Sequence, residues 1–139
     1  MKYLASGLAA GATVDSFSFD PSFTYDPSAG EIIQVRSAID AQIISAFGQG
    51  MAFQPLAVEQ DGRVFTLPTV ITGSTIPSTP WTSGILTFFV SAADLVATDN
   101  SGDNPDFSTN GGVLTFGLYT ANTGGNGITI GYDNYFVQF

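Results

Sequence analysis

The 139-residue chain contains neither histidine nor cysteine. Without imidazole it has no side chain whose ordinary pKa lies near neutral pH, and without a thiol it has no cysteine nucleophile. Zinc and iron centres built from nitrogen and sulfur ligands are excluded for the same reason. These absences remove the usual catalytic triads and metal hydrolases, so we expect a protein that is not an enzyme.

Basic residues are also scarce. The chain has three basic residues (Lys and Arg) and twelve acidic residues (Asp and Glu), which gives a formal net charge of −9 at pH 7. Such an acidic chain is repelled by the phosphate backbone of nucleic acids and by anionic bilayer surfaces. The sequence also has no apolar run approaching the roughly 18 residues of a membrane span. We therefore expect no nucleic-acid partner and no membrane insertion.

Charge of either sign is sparse, because charged residues make up only 11% of the chain. Hydrophobic residues reach 44% and aromatic residues 13%, which excludes a disordered chain and suffices for one buried core. The length suits a single domain spanning residues 1–139. Few lysines with abundant Ser, Thr, Gly and Asn are typical of secreted β proteins, so we expect an extracellular or cell-surface location.

Hydrophobic residues recur with a period of two along most of the chain, and Gly, Pro, Asn and Asp interrupt the pattern about every ten residues. This alternation is typical of β-strands. The predicted strands cover 14–25, 38–47, 51–60, 64–67, 70–72, 81–90, 113–122 and 127–139. No helical crossover is indicated between them. The predicted fold class is therefore all-β, an antiparallel two-sheet β-sandwich of jelly-roll type.

The first long strand carries an alternating set of aromatic residues. Phe17 and Phe19 share one face, and Phe23 and Tyr25 resume the same alternation after a break at 20–21. The pattern therefore predicts β-strand alternation on both sides of the break.

The middle of the chain contains the clearest turn. Asp61-Gly62 lies between two apolar alternations and predicts a two-residue hairpin turn of type I′. In the strand before it, Leu56 and Val58 are expected to point into the core. Pro55 indicates that this strand is either an edge strand or a strand with a bulge.

The first twelve residues carry one lysine and a short apolar run, as a signal peptide does. Ser6, Gly7 and Gly11 interrupt that run. We therefore interpret the segment as the start of the domain, with a strand near 3–8, rather than as a cleaved leader.

A polar loop predicted at 97–112 concentrates oxygen ligands of the kind that calcium prefers. Asp99, Asp103 and Asp106 are the candidate ligands, and Gly102 would let the loop wrap around an ion. The spacing is not that of an EF-hand, and acidic turns are common in an acidic protein. A solvated loop without a metal is therefore the alternative.

Proteins hold sugar rings through aromatic faces and amide side chains, and five residues are candidates for such contacts. Trp81, the only tryptophan, lies at a loop-to-strand boundary, Tyr119 and Tyr132 lie on predicted strands, and Asn122 and Asn126 flank a predicted turn. Each type has a structural alternative. A tryptophan can plug the end of a sandwich, tyrosines can form core or cross-strand pairs, and asparagines can stabilise backbone turns.

Several segments carry a family resemblance when they are taken in order. They are Met51–Phe65, with an apolar strand, Gln, Gly and an aromatic residue; Trp81; Ser91–Leu95; Pro105–Ser108; Leu114–Tyr119; and Gly131–Val137. Together they resemble jelly-roll domains of secreted and surface-anchored bacterial proteins, including many with PEP-CTERM sorting signals. The Asp-Asn pair at 133–134 is similar to the closing strand of galactose-binding-like and carbohydrate-binding jelly rolls.

The resemblance implies a secreted jelly roll and, by analogy, glycan binding. It also implies a structural calcium site, because related jelly rolls place a carboxylate of such a site where this chain has Asp133. The alternative for Asp133 is a carboxylate that accepts backbone N–H groups at the end of a strand.

Two functions of different classes are compatible with the sequence. The first is a lectin-like module that binds a polysaccharide or cell-surface glycan, which the resemblance and the candidate aromatic residues favour. The second is a structural protein that packs with copies of itself through its strand edges. The scarcity of charged residues that keep edges apart and the apolar end at 135–139 favour this alternative.

Overall fold

The computed structural model describes residues 13–46, 51–69, 71–72, 86–123 and 128–139. Its strands are β1 (Thr13–Tyr25), β2 (Val35–Ala46), β3 (Met51–Gln60), β4 (Arg63–Thr66), β5 (Ile71–Thr72), β6 (Leu86–Val90), β7 (Val96–Ala97), β8 (Leu114–Thr123) and β9 (Ile128–Gln138). The described part of the chain has no helix of the length and hydropathy needed to cross a bilayer. The strand predicted near 3–8 lies outside the described residues.

The strands form two antiparallel sheets. The large sheet has the order β1-β8-β3-β4-β7, with the short strand β5 attached to β3, and the small sheet has the order β6-β2-β9. The successive strands β1, β2 and β3 alternate between the sheets, and β8 is inserted between β1 and β3. The predicted all-β antiparallel two-sheet β-sandwich is confirmed.

The core lies between the two sheets in two clusters of buried side chains. The larger cluster consists of Ile32, Val35, Leu56, Val58, Phe65, Val90, Leu95, Ala97, Phe107, Leu114 and Phe116. The smaller cluster consists of Ile39, Ala41, Phe53, Leu86 and Ile130. Both clusters contain residues of both sheets, so the burial of their apolar surface holds the sheets together.

Strand β3 is central in the large sheet, because β8 lies on one side of it and β4 and β5 lie on the other. Its ladder with β8 shifts register between Gln54 and Ala57, which marks a β-bulge around Pro55. The bulge predicted for Pro55 is confirmed, and the edge-strand alternative is wrong. Leu56 and Val58 belong to the core, as predicted.

Strand β1 contains a larger irregularity. Its ladder with β8 is regular up to Phe19, after which the four residues 20–23 lie opposite a single residue of β8. The three extra residues are an odd number, so they reverse the face to which the following side chains point. Phe17 lies on the outside of the sheet, whereas Phe23 and Tyr25 pack against the larger core cluster. The alternation resumes as predicted, but on the opposite face.

The predicted hairpin turn is present. Asp61 and Gly62 have φ values of 53° and 76°, as a type I′ hairpin turn requires. A short 3-10 turn, Ala92–Asp94, follows Ser91, whose backbone N–H and hydroxyl both donate to the Asp94 carboxylate, at 2.8 and 2.6 Å. This turn leads directly into β7 and the acidic loop that follows it.

Candidate functional site

Three aromatic side chains lie together on the outside of the large sheet. Leu118 packs against the smaller core cluster, so the next residue, Tyr119, points away from the core, as does its ladder partner Phe17. The Phe17 ring centroid lies 5.2 Å from that of Tyr119 and 6.5 Å from that of Phe19. The two phenylalanine rings are within 16° of parallel, and the Tyr119 ring is tilted by 33° from that of Phe17, so three partly exposed aromatic side chains form one group.

Gly117 provides the space that Phe19 occupies on this face. The two residues pair across the ladder between β1 and β8. A Cβ atom at Gly117 would lie 2.7 Å from Cδ1 of Phe19 and 2.3 Å from the backbone oxygen of Ser18. A side chain at this position would displace the ring or the strand, so the close approach of β1 requires glycine here.

Asp15 adds a carboxylate at the edge of the aromatic group. The Tyr119 hydroxyl donates to Oδ1 of Asp15 at 2.9 Å, and Asp15 is exposed. Partial burial, followed by the hydrogen bond to Asp15, raises the pKa of Tyr119 to about 12. The phenol therefore keeps its proton at neutral pH and is held in place by the carboxylate. We call Phe17, Phe19, Tyr119 and Asp15 the outer aromatic face.

The second predicted tyrosine, Tyr132, lies inside the sandwich and not on the outer aromatic face. It packs against the smaller core cluster, with its ring centroid 5.7 Å from that of Phe53. Burial raises the pKa of its hydroxyl, which has no hydrogen-bond partner among the described residues. Because Phe53 is inside the sandwich and Tyr119 is outside it, the two predicted tyrosines do not form one site.

The other three predicted sugar-binding residues are only partly within the described structure. Trp81 and Asn126 lie outside the described residues. Asn122 lies in β8, where its backbone pairs with Met51 of β3, and nothing further is described of its side chain. A contact between any of these residues and a sugar stays a prediction.

Arg63 organises the acidic loop that follows β7. Its guanidinium contacts Oδ2 of Asp99 at 3.0 Å and Oδ2 of Asp103 at 2.9 Å, and it donates to Oγ of Ser101 at 2.6 Å. Hydrogen bonds from Ser101, followed by those from Arg63, hold the pKa of the Asp99 carboxyl below its usual value. Arg63 thus places a positive charge beside both carboxylates.

Asp106 is held in a different arrangement. Its Oδ1 accepts from the backbone N–H of Ser108 at 2.9 Å, and its own N–H donates to Oε1 of Gln60 at 2.8 Å. Across the described ranges, no group of three or more His, Cys, Asp or Glu side chains is placed to hold a metal ion. Calcium binding by this loop stays a prediction. A calcium ion there would compete with Arg63 for the carboxylates of Asp99 and Asp103.

Gln60, which the sequence pattern did not single out, fixes the long loop to the sandwich. Its buried amide donates from Nε2 to the backbone oxygens of Asp106 and Gly112, at 2.8 and 2.9 Å. The signal in the sequence is that Gln60 continues the inward alternation of Leu56 and Val58. A polar residue at an inward position has to satisfy its amide locally, which is what this loop provides.

Asp133 lies at a bulge in the last strand. The ladder between β2 and β9 shifts register between Ala38 and Asp40, and Asn134 has a φ of 50°, in the left-handed region that asparagine tolerates. Oδ1 of Asp133 accepts from the backbone N–H of Asn134 at 2.8 Å, and Nδ2 of Asn134 donates to Asp40 at 2.8 Å. Asp133 thus accepts a backbone N–H group, which is the alternative to a metal ligand considered above. Calcium binding by Asp133 stays a prediction.

Comparison with known proteins gives no family for the chain. No protein-family model, no curated protein and no solved structure matches it. The resemblance to surface-anchored and carbohydrate-binding jelly rolls therefore depends on the quoted segments alone and stays a prediction.

Proposed function

We propose that the domain is a non-catalytic extracellular module that binds a neutral glycan through the outer aromatic face. The observation that carries the proposal is the pair of Phe17 and Phe19 rings, 16° from parallel and continued by Tyr119 on the outside of a sheet. Sugar rings have apolar C–H faces, and flat aromatic groups with one polar end suit such surfaces.

Asp15 supplies the polar contact in this proposal. Its exposed carboxylate accepts hydrogen bonds from hydroxyl groups, as it already does from Tyr119. The net charge of −9 repels polyanions, which favours a neutral glycan. Glycoside hydrolysis requires two carboxyl groups on either side of the scissile bond, whereas the outer aromatic face contains one. We therefore propose binding without cleavage.

Titration calorimetry and affinity electrophoresis with neutral bacterial and plant polysaccharides test this proposal. We expect Phe17→Ala and Tyr119→Ala each to weaken binding about tenfold, because a stacked aromatic contributes about 1.5 kcal/mol. The matched control is Phe89→Ala, since Phe89 is an aromatic residue of the other sheet that is 61% exposed. Binding should be unchanged in that variant.

Two results would contradict the proposal. One is a wild-type protein that binds none of the neutral polysaccharides. The other is a wild-type affinity that Phe17→Ala and Tyr119→Ala leave unchanged, since binding would then take place away from the outer aromatic face.

Self-association is the second candidate function, and the outer side of the small sheet favours it. There the Arg36 guanidinium lies 5.9 Å from the ring centroid of Phe89 and 4.9 Å from that of Phe136. The two phenylalanines are 61% and 37% exposed. Aromatic and arginine side chains are enriched where protein surfaces meet, so this group is the place where a second copy would dock.

The strand edges favour self-association less. Among the described strands, β1 pairs only with β8 and β9 only with β2, so each has an open edge. Both strands carry bulges, which interrupt pairing with another chain. Light scattering over a range of protein concentrations tests this candidate. Dimers or fibres that Phe89→Ala reduces would support it, and a monomer at every concentration would contradict it.

A further inference from the structure

A partly open cleft of about 270 Å³ lies where the irregularity of β1 interrupts the ladder with β8. It is lined by Ser18, Phe19, Asp20, Phe23, Phe116, Gly117, Leu118 and Tyr135. We call it the bulge cleft. Pockets for drug-sized ligands measure about 300–1,000 Å³, so this volume suits a smaller molecule or a single head group.

Half of the residues that line the bulge cleft are aromatic. They are Phe19, Phe23, Phe116 and Tyr135. The Phe23 and Tyr135 rings have centroids 5.5 Å apart and are inclined at 53°, so they form two adjoining walls. The Tyr135 hydroxyl donates to the backbone oxygen of Gly117 at 3.1 Å, which fixes the position of its ring.

Asp20 contributes the only ionisable carboxylate of this lining, and its side chain is exposed. Its Oδ1 accepts from both the backbone N–H and the hydroxyl of Ser22, at 2.9 and 2.7 Å. These bonds, the backbone one first, hold the pKa of the Asp20 carboxyl below its usual value. The Asp20 carboxylate therefore carries a negative charge at neutral pH, on an exposed residue that lines the cleft.

We propose that the bulge cleft binds a small quaternary ammonium group. The faces of aromatic rings attract cations, and clusters of aromatic side chains are the usual way in which proteins bind quaternary ammonium groups. A quaternary ammonium has no N–H, so it needs none of the hydrogen-bond acceptors that an aromatic lining lacks. The net charge of −9 also raises the local concentration of cations around the protein.

The charge of the ligand is what separates this proposal from simple filling of an apolar cavity. A neutral molecule of the same shape gains the same apolar contacts but has no charge to attract the Asp20 carboxylate or the faces of the aromatic rings. Choline and 3,3-dimethyl-1-butanol are such a pair, because the second replaces the nitrogen of the first by carbon.

The first experiment titrates the wild-type protein with choline, with tetramethylammonium and with 3,3-dimethyl-1-butanol, followed by ligand-observed NMR. We expect both cations to bind about tenfold more tightly than the neutral alcohol, and added salt to weaken only the cations. Absence of choline binding, or equal affinities for choline and the alcohol, would overturn the proposal.

The second experiment uses a matched pair of variants. The sequence Asp-Pro-Ser occurs at 20–22 and again at 26–28, and in both copies the aspartate accepts from the serine N–H at 2.9 Å. Only the first copy lines the bulge cleft. We expect Asp20→Asn to weaken choline binding about tenfold and Asp26→Asn to leave it unchanged. Equal affinities of the two variants would overturn the proposal.

The inference is independent of glycan binding, although Phe19 borders both sites. Phe17 and Tyr119 belong to the outer aromatic face and are not part of the cleft lining. Phe17→Ala and Tyr119→Ala should therefore bind choline as the wild-type protein does, whatever they do to polysaccharide binding. Loss of choline binding in both variants would overturn the assignment of the cation to the bulge cleft.

Discussion

The two parts of β1 place the same residue type in opposite environments. Before the irregularity, Phe17 stacks with its neighbours on the outside of the large sheet. After it, Phe23 lies inside the sandwich against Tyr135 of β9. The spacing of the aromatic residues is the same in both parts. The four residues at 20–23, which lie opposite a single residue of β8, decide which phenylalanine packs against the core and which lies on the outside of the sheet.

This difference shows how one strand can contribute aromatic residues both to the core and to the outside of the sheet. In a regular strand with one buried face, every second side chain points to the core. Aromatic residues that are all at odd-numbered positions would then be all buried or all exposed. A bulge with an odd number of extra residues places the aromatic residues before it on one face of the sheet and those after it on the other. It also interrupts the ladder, and the interruption is where the bulge cleft opens.

Gly117→Ala is expected to break the arrangement most severely. The added methyl group would lie 2.3 Å from the backbone oxygen of Ser18, which is a rigid group, and 2.7 Å from the Phe19 ring. Overpacking against a backbone costs about 3 kcal/mol. Urea unfolding should show this fall in the free energy of unfolding, together with loss of both polysaccharide and choline binding.

Gly30→Ala is the control for that substitution. The nearest atom to its new Cβ would be the Tyr25 hydroxyl oxygen at 3.2 Å, the end of a side chain that can move. We expect a cost below about 1 kcal/mol. A Gly117→Ala protein as stable as Gly30→Ala would show that β1 does not depend on the close approach at Gly117.

The same substitution, Phe to Ala, can be made on both faces of the large sheet. Phe17→Ala alters the outer face, and Phe23→Ala alters the core face. Phe23 packs against the larger core cluster, so its truncation should lower the free energy of unfolding by about 2 kcal/mol. Phe17 contacts only the aromatic rings of the outer face in the contacts described, so we expect about 1 kcal/mol or less. Urea denaturation of the two variants measures the difference, and equal losses would contradict the assignment of the two faces.

Local pattern was enough to predict the elements but not the faces of β1. The strand at 51–60, its bulge at Pro55 and the Asp61-Gly62 turn follow from short-range rules, and the structure confirms them. The face reversal in β1 depends on how its residues align with β8, about a hundred positions later in the chain. No alternation within β1 contains that information.

For the candidate site, the sequence likewise predicts residue types but not which residues contact one another. Tyr119 was identified by residue type, but its partners Phe17 and Asp15 reach it through strand pairing across the sheet. The acidic loop was identified by composition, whereas its contact with Arg63 links residues 36 and 40 positions apart. Residue types indicate which chemistry is present, and long-range pairing decides which groups meet.

The smallest expected effect is the contribution of Asp20 to the pH dependence of stability. Hydrogen bonds from Ser22 lower its folded-state pKa below the usual 3.8. A carboxyl group of this kind stabilises the fold above its unfolded pKa, and the contribution is lost as the pH falls through the folded pKa. From about pH 7 to about pH 3, the free energy of unfolding should therefore fall more steeply for the wild-type protein than for Asp20→Asn. Urea unfolding across this range measures both slopes. Because the two proteins share every other carboxylate, parallel profiles would show that folding does not lower the pKa of Asp20.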